Sequence, residues 1–398
     1  MRASVRALPV LLSAAALAFT LGPGTPSGPA TPSSKASTLA ASAPAASTQD
    51  ASTPAADGPA VPLERERPTR IMPLGDSITA GHDAAKGGYR TDLYQLLAAD
   101  GRPIDFVGSV ASGSAALADK DNEGHGGWTI GMVQDKVAGW LTTYTPDVVT
   151  IQLGTNDMYN DASAGAAPGR LSTLLDTIAT TLPAARIFVS SIPPINDPNH
   201  YSRVNAFNAT IPGLVATKVA AGKQIAFVDT NPSFSNPFDL TDALHPNYGA
   251  LSKAATRWYG ALTGVPLTRL EAEQSANATV VHARRTQITS ASGGAKIGYI
   301  DYADSSVTFT FQVPAAGTYR IRARGANGTG STCTHQVSAN NGPQATITYP
   351  SYGWALLAVA SVDLPLTAGP NTVKFTKGVC YAELDAIDLS PVPSATGS

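Results

Sequence analysis

The chain has 398 residues, of which 43% are hydrophobic and 14% are charged. A chain of this length is too long to fold around one hydrophobic core and is about right for two domains with flanking segments. The composition is typical of a globular protein rather than a disordered one. The chain has 27 Lys and Arg against 29 Asp and Glu, so it lacks the basic excess that binding to nucleic acid or an anionic membrane requires.

The first 66 residues are expected to lie outside any folded domain. Arg2 and Arg6 precede an apolar run at 8–21, which is shorter than the roughly 20 residues of a membrane span. This pattern is typical of a secretory signal, so we predict a signal peptide at 1–30, its cleavage site left open, and an extracellular protein without membrane contact. A membrane anchor is the alternative. Residues 31–66 are rich in Ser, Thr, Pro and Ala, which predicts a disordered linker.

Residues 67–264 alternate between apolar strands and helical patterns. Strands are predicted at 70–74, 104–107, 148–153, 186–192 and 225–228, and helices at 89–99, 132–141, 171–182, 204–221 and 248–262. Apolar strands without alternation are buried on both faces, which predicts an α/β fold: a three-layer parallel sheet with helices on both faces. Catalytic groups in such sheets lie on loops at the carboxyl ends of the strands.

Residues 268–392 have a period of two instead. Val307, Phe309, Phe311 and Val313 share one face, and three further residues alternate with arginines at 320, 322 and 324. Turn signals separate these runs, so we predict an antiparallel β-sandwich. Both cysteines, Cys333 and Cys380, fall in this domain. In a secreted protein they are expected to pair, although two separate buried thiols remain the alternative.

Ser77 is the candidate nucleophile. The segment Gly75-Asp76-Ser77 follows the first strand directly, so Ser77 is placed at that strand's carboxyl end. A catalytic serine needs a base, and the base needs an orienting carboxylate. The alternative is an ordinary strand-to-helix turn in which Ser77 acts as a cap.

The spacing Asp-x-x-His offers a base with its carboxylate. It occurs twice, and only the pair Asp242 and His245 lies between the last strand and the last helix. His200, in the other pair, is expected on a surface loop or at the rim of the substrate site. The Asn156 amide and a backbone N–H of Gly126-Gly127 could stabilise an oxyanion, although both segments also suit ordinary turns.

Together these segments resemble the four ordered blocks of the SGNH (GDSL-type) hydrolases, over residues 69 to about 263. The segments 87–90, 106–109 and 123–128 look most like carbohydrate esterase family three, the acetylxylan esterase type. The resemblance implies Ser77 as nucleophile, His245 as base and Asp242 as its orienting carboxylate. It also implies an oxyanion hole formed by the N–H groups of Ser77 and Gly127 and by the Asn156 side chain.

The C-terminal domain has an acidic cluster of its own. Glu271 and Glu273 are two residues apart on a predicted strand, and Asp385 lies in the final one. Such carboxylates bind a cation or form a solvated acidic edge. Segments 271–273, 293–295, 315–319 and 326–328 resemble carbohydrate-binding modules of family thirty-five, which implies a structural Ca²⁺ at these three residues.

The same resemblance implies sugar binding in the loops of the sandwich. Trp354 is the best aromatic platform, followed by Tyr352 and Tyr381, although any of them could be core residues instead. One position departs from the pattern: many relatives have Asn where this chain has Glu383, so the sugar ligand stays open.

We therefore predict a monomeric, secreted serine esterase that removes acetyl groups from a plant polysaccharide, most consistent with acetylated xylan. Catalysis would require no cofactor, and the sandwich would bind the polysaccharide. Two alternatives remain: an SGNH esterase or lipase that acts on non-carbohydrate esters, and a catalytically silent carbohydrate-binding protein.

Overall fold

A computed structural model describes residues 67–82, 87–160, 164–234 and 239–393. The predicted signal peptide and linker lie outside these residues, so the structure does not bear on them. The described residues form an α/β part that ends at Thr263 and a part made of strands that begins at Thr268.

The α/β part contains one mixed sheet and seven helices in the residues described. In chain order its elements are β1 Thr69–Gly75, α1 Ser77–Ala80, α2 Arg90–Ala99, β2 Ile104–Phe106, β3 Val110–Ala111, β4 Asp121–Gly124, α3 Ile130–Tyr144, β5 Val148–Gln152, α4 Thr155–Tyr159, α5 Ala167–Thr181, β6 Arg186–Ser190, α6 Pro198–Ala220, β7 Ile225–Val228 and α7 Tyr248–Thr263. The strand order is β3-β4-β1-β5-β6-β7, and β2 also pairs with β1. All pairs are parallel except β3 with β4.

Helices cover both faces of this sheet. Apolar residues of α3, α5 and α6 pack on one face, together with Val149 and Ile151 of β5. Residues of α2 and α7 pack on the other face with Val148 of the same strand. Adjacent strand residues thus enter opposite cores, which explains why β5 is apolar throughout and confirms the three-layer α/β prediction.

The second part is a sandwich of two antiparallel sheets. Its strands are β8 Thr268–Glu271, β9 Ala278–Val281, β10 Arg284–Gln287, β11 Ala295–Gly298, β12 Ser306–Val313, β13 Gly317–Asn327, β14 Cys333–Ala339, β15 Ala345–Tyr349, β16 Gly353–Leu366, β17 Gly369–Lys377 and β18 Glu383–Pro391. One sheet has the order β10-β11-β18-β13-β16, with β8 beside β18, and the other has β15-β14-β17-β12-β9. The alternating residues of β12 point inward as predicted, since Val307 and Phe309 are fully buried.

The two parts meet along a row of arginines on β13. Arg324 is fully buried, and its Nε donates to Asp92 of α2 at 3.0 Å. Arg322 donates to both carboxylate oxygens of Asp100, each at 2.8 Å. The arginines that alternate with core residues therefore face the α/β part, and this role was not evident from the sequence. We call this set of contacts the arginine joint.

Some element boundaries differ from prediction. Helix α6 begins at Pro198 instead of 204, because Asp197 accepts a hydrogen bond from Asn199 N at 2.8 Å and proline suits the first helical turn. His200 therefore lies in a helix, and its expected position on a loop is wrong. Within the described ranges, no helix has the length and apolar character needed to cross a bilayer.

Candidate active site

Ser77 lies at the carboxyl end of the central strand β1, in the first turn of α1. Gly75 allows the approach of β5, because a side-chain carbon there would collide with Gln152 O. Asp76 caps α1 by accepting from Ile78 N at 2.9 Å. Burial raises the pKa of this carboxyl to about 7. Its hydrogen bond supports the turn that carries Ser77.

Arg90 fixes the other end of this turn. The side chain is fully buried, and its Nε donates to Thr79 O at 2.8 Å. Its Nη2 donates to Ala80 O at 3.1 Å and to Ser112 O at 2.7 Å. These carbonyl groups accept the hydrogen bonds of the buried guanidinium, so Arg90 holds the segment that carries Ser77 in place. Nothing in the sequence indicated this role.

His245 and Asp242 lie on the loop before α7, which Thr241 N closes by donating to His245 O at 2.8 Å. His245 Nε2 is 2.9 Å from Ser77 Oγ, and His245 Nδ1 is 2.8 Å from Asp242 Oδ2. The structure therefore brings together the three residues predicted from widely separated segments. With Nδ1 donating to the carboxylate, the Nε2 lone pair faces the serine hydroxyl, as a general base requires.

The two oxygens of Asp242 have separate tasks. Oδ1 accepts from Leu244 N at 2.7 Å and from His245 N at 2.8 Å, so Oδ2 is left for the imidazole. Partial burial opposes ionisation, but these backbone bonds and the bond from the His245 ring outweigh it and lower the pKa of Asp242 to about 2. The carboxylate is therefore ionised at neutral pH.

A second histidine, His82, lies on the His245 ring. The ring centroids are 3.8 Å apart with an interplanar angle of 16°. His82 Nε2 is 3.7 Å from Asp242 Oδ2, and the His82 side chain is 53% exposed. This contact could not be predicted from the sequence, because His82 and His245 are 163 positions apart; the one signal was a histidine five positions after Ser77.

The predicted oxyanion donors follow β4 and β5, which run parallel to β1 and end at the same sheet edge as Ser77. Asn156 lies in the first turn of α4, after Gly154, whose φ of 127° favours glycine. One N–H of its amide donates to Trp128 O at 3.0 Å, which orients the group. On the other side, a side-chain carbon at Gly126 would lie 3.9 Å from Ser77 Cβ, so the loop carrying Gly127 passes close to the serine.

A buried carboxylate holds that loop in place. Glu123 is fully buried and accepts from Ser109 N at 2.6 Å, and it lies 2.8 Å from His125 Nε2. The His125 ring packs against both Trp128 and Trp140, at centroid distances of 4.3 and 4.9 Å. The segment before Gly127 is thus rigidly packed.

In the sandwich, the carboxylates of Glu271, Glu273 and Asp385 converge, with one oxygen of each within 4.8 Å of the others. Glu273 lies in a turn beyond β8, so its predicted position on the strand is wrong. Burial raises the pKa of Glu271 to about 8 and that of Glu273 to about 7, and the Asp385 charge adds to both effects. Asp385 also accepts from Arg324 Nη1 at 2.5 Å, so this cluster adjoins the arginine joint.

The three aromatic residues predicted to bind sugar separate into two groups. Trp354 and Tyr381 stack nearly parallel, with centroids 6.2 Å apart, and are 38% and 49% exposed. Tyr352 is only partly exposed and packs on the sandwich core. Glu383, which departs from the expected asparagine, lies 2.5 Å from Lys296 Nζ. A disulfide joins Cys333 and Cys380 next to Tyr381.

Fold and site define a class: a three-layer α/β domain with a Ser–His–Asp arrangement at the carboxyl edge of its sheet. Residues 74–249 match the GDSL-like lipase/acylhydrolase family, so this part of the chain is similar to the domains of that family. A multidomain esterase of Ruminococcus flavefaciens is 30% identical over 221 residues, which cover 49% of this chain. The chain spans only 28% of that relative's length.

Two solved structures from Clostridium thermocellum are also similar. Its family 3 carbohydrate esterase is 39% identical, with 48% of this chain and 94% of that chain covered and a TM-score of 0.44. Its family 35 carbohydrate-binding module is 29% identical, with 31% of this chain and 98% of the module covered and a TM-score of 0.29.

Proposed function

We propose that this protein is a secreted serine esterase that removes acetyl groups from a plant cell-wall polysaccharide, with acetylated xylan as its substrate. The observation that carries the proposal is the hydrogen-bonded series from Ser77 Oγ through His245 to Asp242, at 2.9 and 2.8 Å. These distances are those of a nucleophile, its base and the carboxylate that orients the base.

In the first half-reaction, Ser77 Oγ attacks the acetyl carbonyl carbon and its proton passes to His245 Nε2. Asp242 stabilises the imidazolium that forms. The N–H groups of Ser77 and Gly127 and the second N–H of the Asn156 amide would hold the oxyanion. The tetrahedral intermediate then collapses, and His245 returns the proton to the departing sugar hydroxyl.

In the second half-reaction, water takes the place of the sugar. His245 accepts a proton from the water as its oxygen attacks the acetyl-serine carbonyl. Collapse of the second intermediate breaks the ester bond and releases acetic acid, and the proton returns to Ser77 Oγ. Asp242 is ionised at neutral pH, so it can stabilise the His245 imidazolium in both half-reactions.

Three observations support a carbohydrate substrate. The segments 87–90, 106–109 and 123–128 resemble acetylxylan esterases, a 30% identical relative is a multidomain esterase, and the C-terminal sandwich resembles a sugar-binding module. The parallel, partly exposed rings of Trp354 and Tyr381 suit contact with a sugar ring, and binding there would raise the local concentration of substrate.

The cluster of Glu271, Glu273 and Asp385 fits a structural Ca²⁺. Buried like charges are unfavourable without a cation, and Glu273 Oε2 is buried without a hydrogen-bond partner among the described residues. Oxygen ligands from several carboxylates are those that Ca²⁺ prefers. Calcium would then raise the melting temperature of the wild type but not that of Glu273→Gln, and equal shifts in both proteins would contradict this assignment.

The deciding experiment measures acetate release from acetylxylan, from acetylated pectin, and from nitrophenyl esters with short and long acyl chains. We expect the highest kcat/KM on acetylxylan and loss of activity in Ser77→Ala. Preference for long acyl chains would indicate a lipase-type esterase, and no activity on any ester would indicate a silent sugar-binding protein. Retention of the full rate by Ser77→Ala would overturn the mechanism.

A further inference from the structure

His82 has no part in the mechanism above, yet it lies against two residues that do. Its Nε2 and the Nδ1 of His245 both approach Asp242 Oδ2, at 3.7 and 2.8 Å. Asp242 Oδ1 already accepts hydrogen bonds from two backbone N–H groups, whereas Oδ2 contacts only these ring nitrogens among the polar groups of the described residues.

Two imidazoles and one carboxylate form a ligand set that zinc prefers. The three ligand atoms lie within 4.8 Å of one another. Zinc bonds of about 2.0–2.2 Å in tetrahedral geometry place ligand atoms about 3.3 Å apart. The separations of 2.8 and 3.7 Å from Asp242 Oδ2 bracket that value, so rotation of the His82 ring out of its stack on His245 would complete the site.

The site is open to solvent. The side chains of His82 and Asp242 are 53% and 44% exposed, so an ion can enter and a water molecule can take the fourth position. The exposed imidazole of His82 can rotate off the His245 ring toward the ion. The residues of the catalytic loop need to move little, because Asp242 stays anchored by Leu244 N and His245 N.

We propose that His82, Asp242 and His245 form a zinc site whose occupancy switches the enzyme off. Zinc bonds to His245 Nδ1 in place of its proton, and that proton moves to Nε2. The Nε2–H then faces Ser77 Oγ as a donor, so the ring can no longer accept the serine proton. Ca²⁺, which prefers oxygen ligands, does not occupy this site.

The inhibitory half of this proposal rests on the proposed esterase function, whereas metal binding does not. The full chain is first treated with a chelator, and its rate of nitrophenyl acetate hydrolysis is then measured at increasing zinc concentrations. The rate of each variant is expressed relative to that variant's own rate without zinc. The test variant is His82→Gln. The matched control is His282→Gln, since His282 is also exposed and paired with a carboxylate, 2.5 Å from Asp304, but belongs to the sandwich.

We expect zinc to inhibit the wild type and His282→Gln alike, and His82→Gln to need at least about tenfold more zinc for half-inhibition. Equal inhibition of all three proteins, or no inhibition of the wild type, would overturn the proposal. Titration with Co²⁺ gives an independent readout: visible d–d bands with one equivalent bound, lost in His82→Gln. If the protein has no esterase activity, the proposed function is wrong, but the cobalt titration still tests metal binding. Absence of the d–d bands in the wild type would then refute the zinc site.

Discussion

Substitution of Arg324 by alanine tests the arginine joint. The guanidinium is fully buried between two carboxylates: its Nε donates to Asp92 of the α/β part, and its Nη1 donates to Asp385 of the sandwich. Both acceptors are themselves at most 1% exposed. Arg324→Ala would leave two buried carboxylates without their shared cation.

Loss of one partner from a buried ion pair costs about 3–5 kcal/mol, mainly because the remaining charge stays desolvated. For a cooperative unit of about 150–250 residues, each kcal/mol lowers the melting temperature by about 2–4 °C, so this loss corresponds to a fall of about 6–20 °C. Because the lost contact bridges the two parts, we also expect the single unfolding transition to split into two.

The assay is differential scanning calorimetry of Arg324→Ala beside Arg320→Ala. Arg320 lies on the same strand four residues earlier and pairs with Asp363, and these two side chains are 24% and 38% exposed. Its contact with the α/β part is weaker, since Arg320 Nη1 lies 3.5 Å from Asp100 Oδ1. Such a pair contributes about 0–1 kcal/mol, so this control should unfold near the wild-type temperature. Equal melting temperatures for the two variants would refute the assignment of the joint to buried charge pairs.

Three further predictions concern other sites. Asn156→Ala should lower kcat on nitrophenyl acetate by about 10²–10³ with KM little changed, and a loss below threefold would exclude Asn156 from the oxyanion hole. Burial lowers the pKa of His335 from 6.5 to about 4, so this group binds a proton only in the unfolded state between those values. The free energy of unfolding should therefore fall by about 3 kcal/mol as pH decreases from 6.5 to 4. Urea unfolding at both pH values measures this fall, and in His335→Gln the fall should be smaller by that amount. Trp354→Ala should lose retention on insoluble xylan while its rate on nitrophenyl acetate stays constant, and Tyr302→Ala, at a residue 64% exposed, serves as the control.

The sequence was sufficient to predict the layers of the fold, because burial on both faces leaves long apolar runs such as β5. It did not predict β4, whose residues Asp121–Gly124 are polar. This strand forms because tertiary contacts override its weak intrinsic propensity. Among them, Glu123 accepts from Ser109, and Asn122 Nδ2 donates to Val110 O at 3.1 Å.

The candidate triad was predictable because each member follows a strand that ends at the same sheet edge. The neighbours of the triad were not, since their contacts arise only when distant segments meet. His82 approaches His245 across 163 positions, and Arg324 meets Asp92 across 232. A period-two pattern shows that Arg324 faces away from the sandwich core, but it gives no sign that a second domain covers that face.

The arginine joint also has a consequence for the choice of substrate. A sugar platform on a flexible tether would let the esterase reach any acetyl group within a sphere around the bound sugar. Here buried contacts between the two parts fix the span between Trp354 and Ser77. Under the proposed function, a bound chain would therefore meet the serine only at a set number of sugar units along its length. The enzyme would then remove acetyl groups only at a fixed distance from the bound sugar. Acetate removal along xylan fragments would accordingly be concentrated at that distance, counted in sugar units.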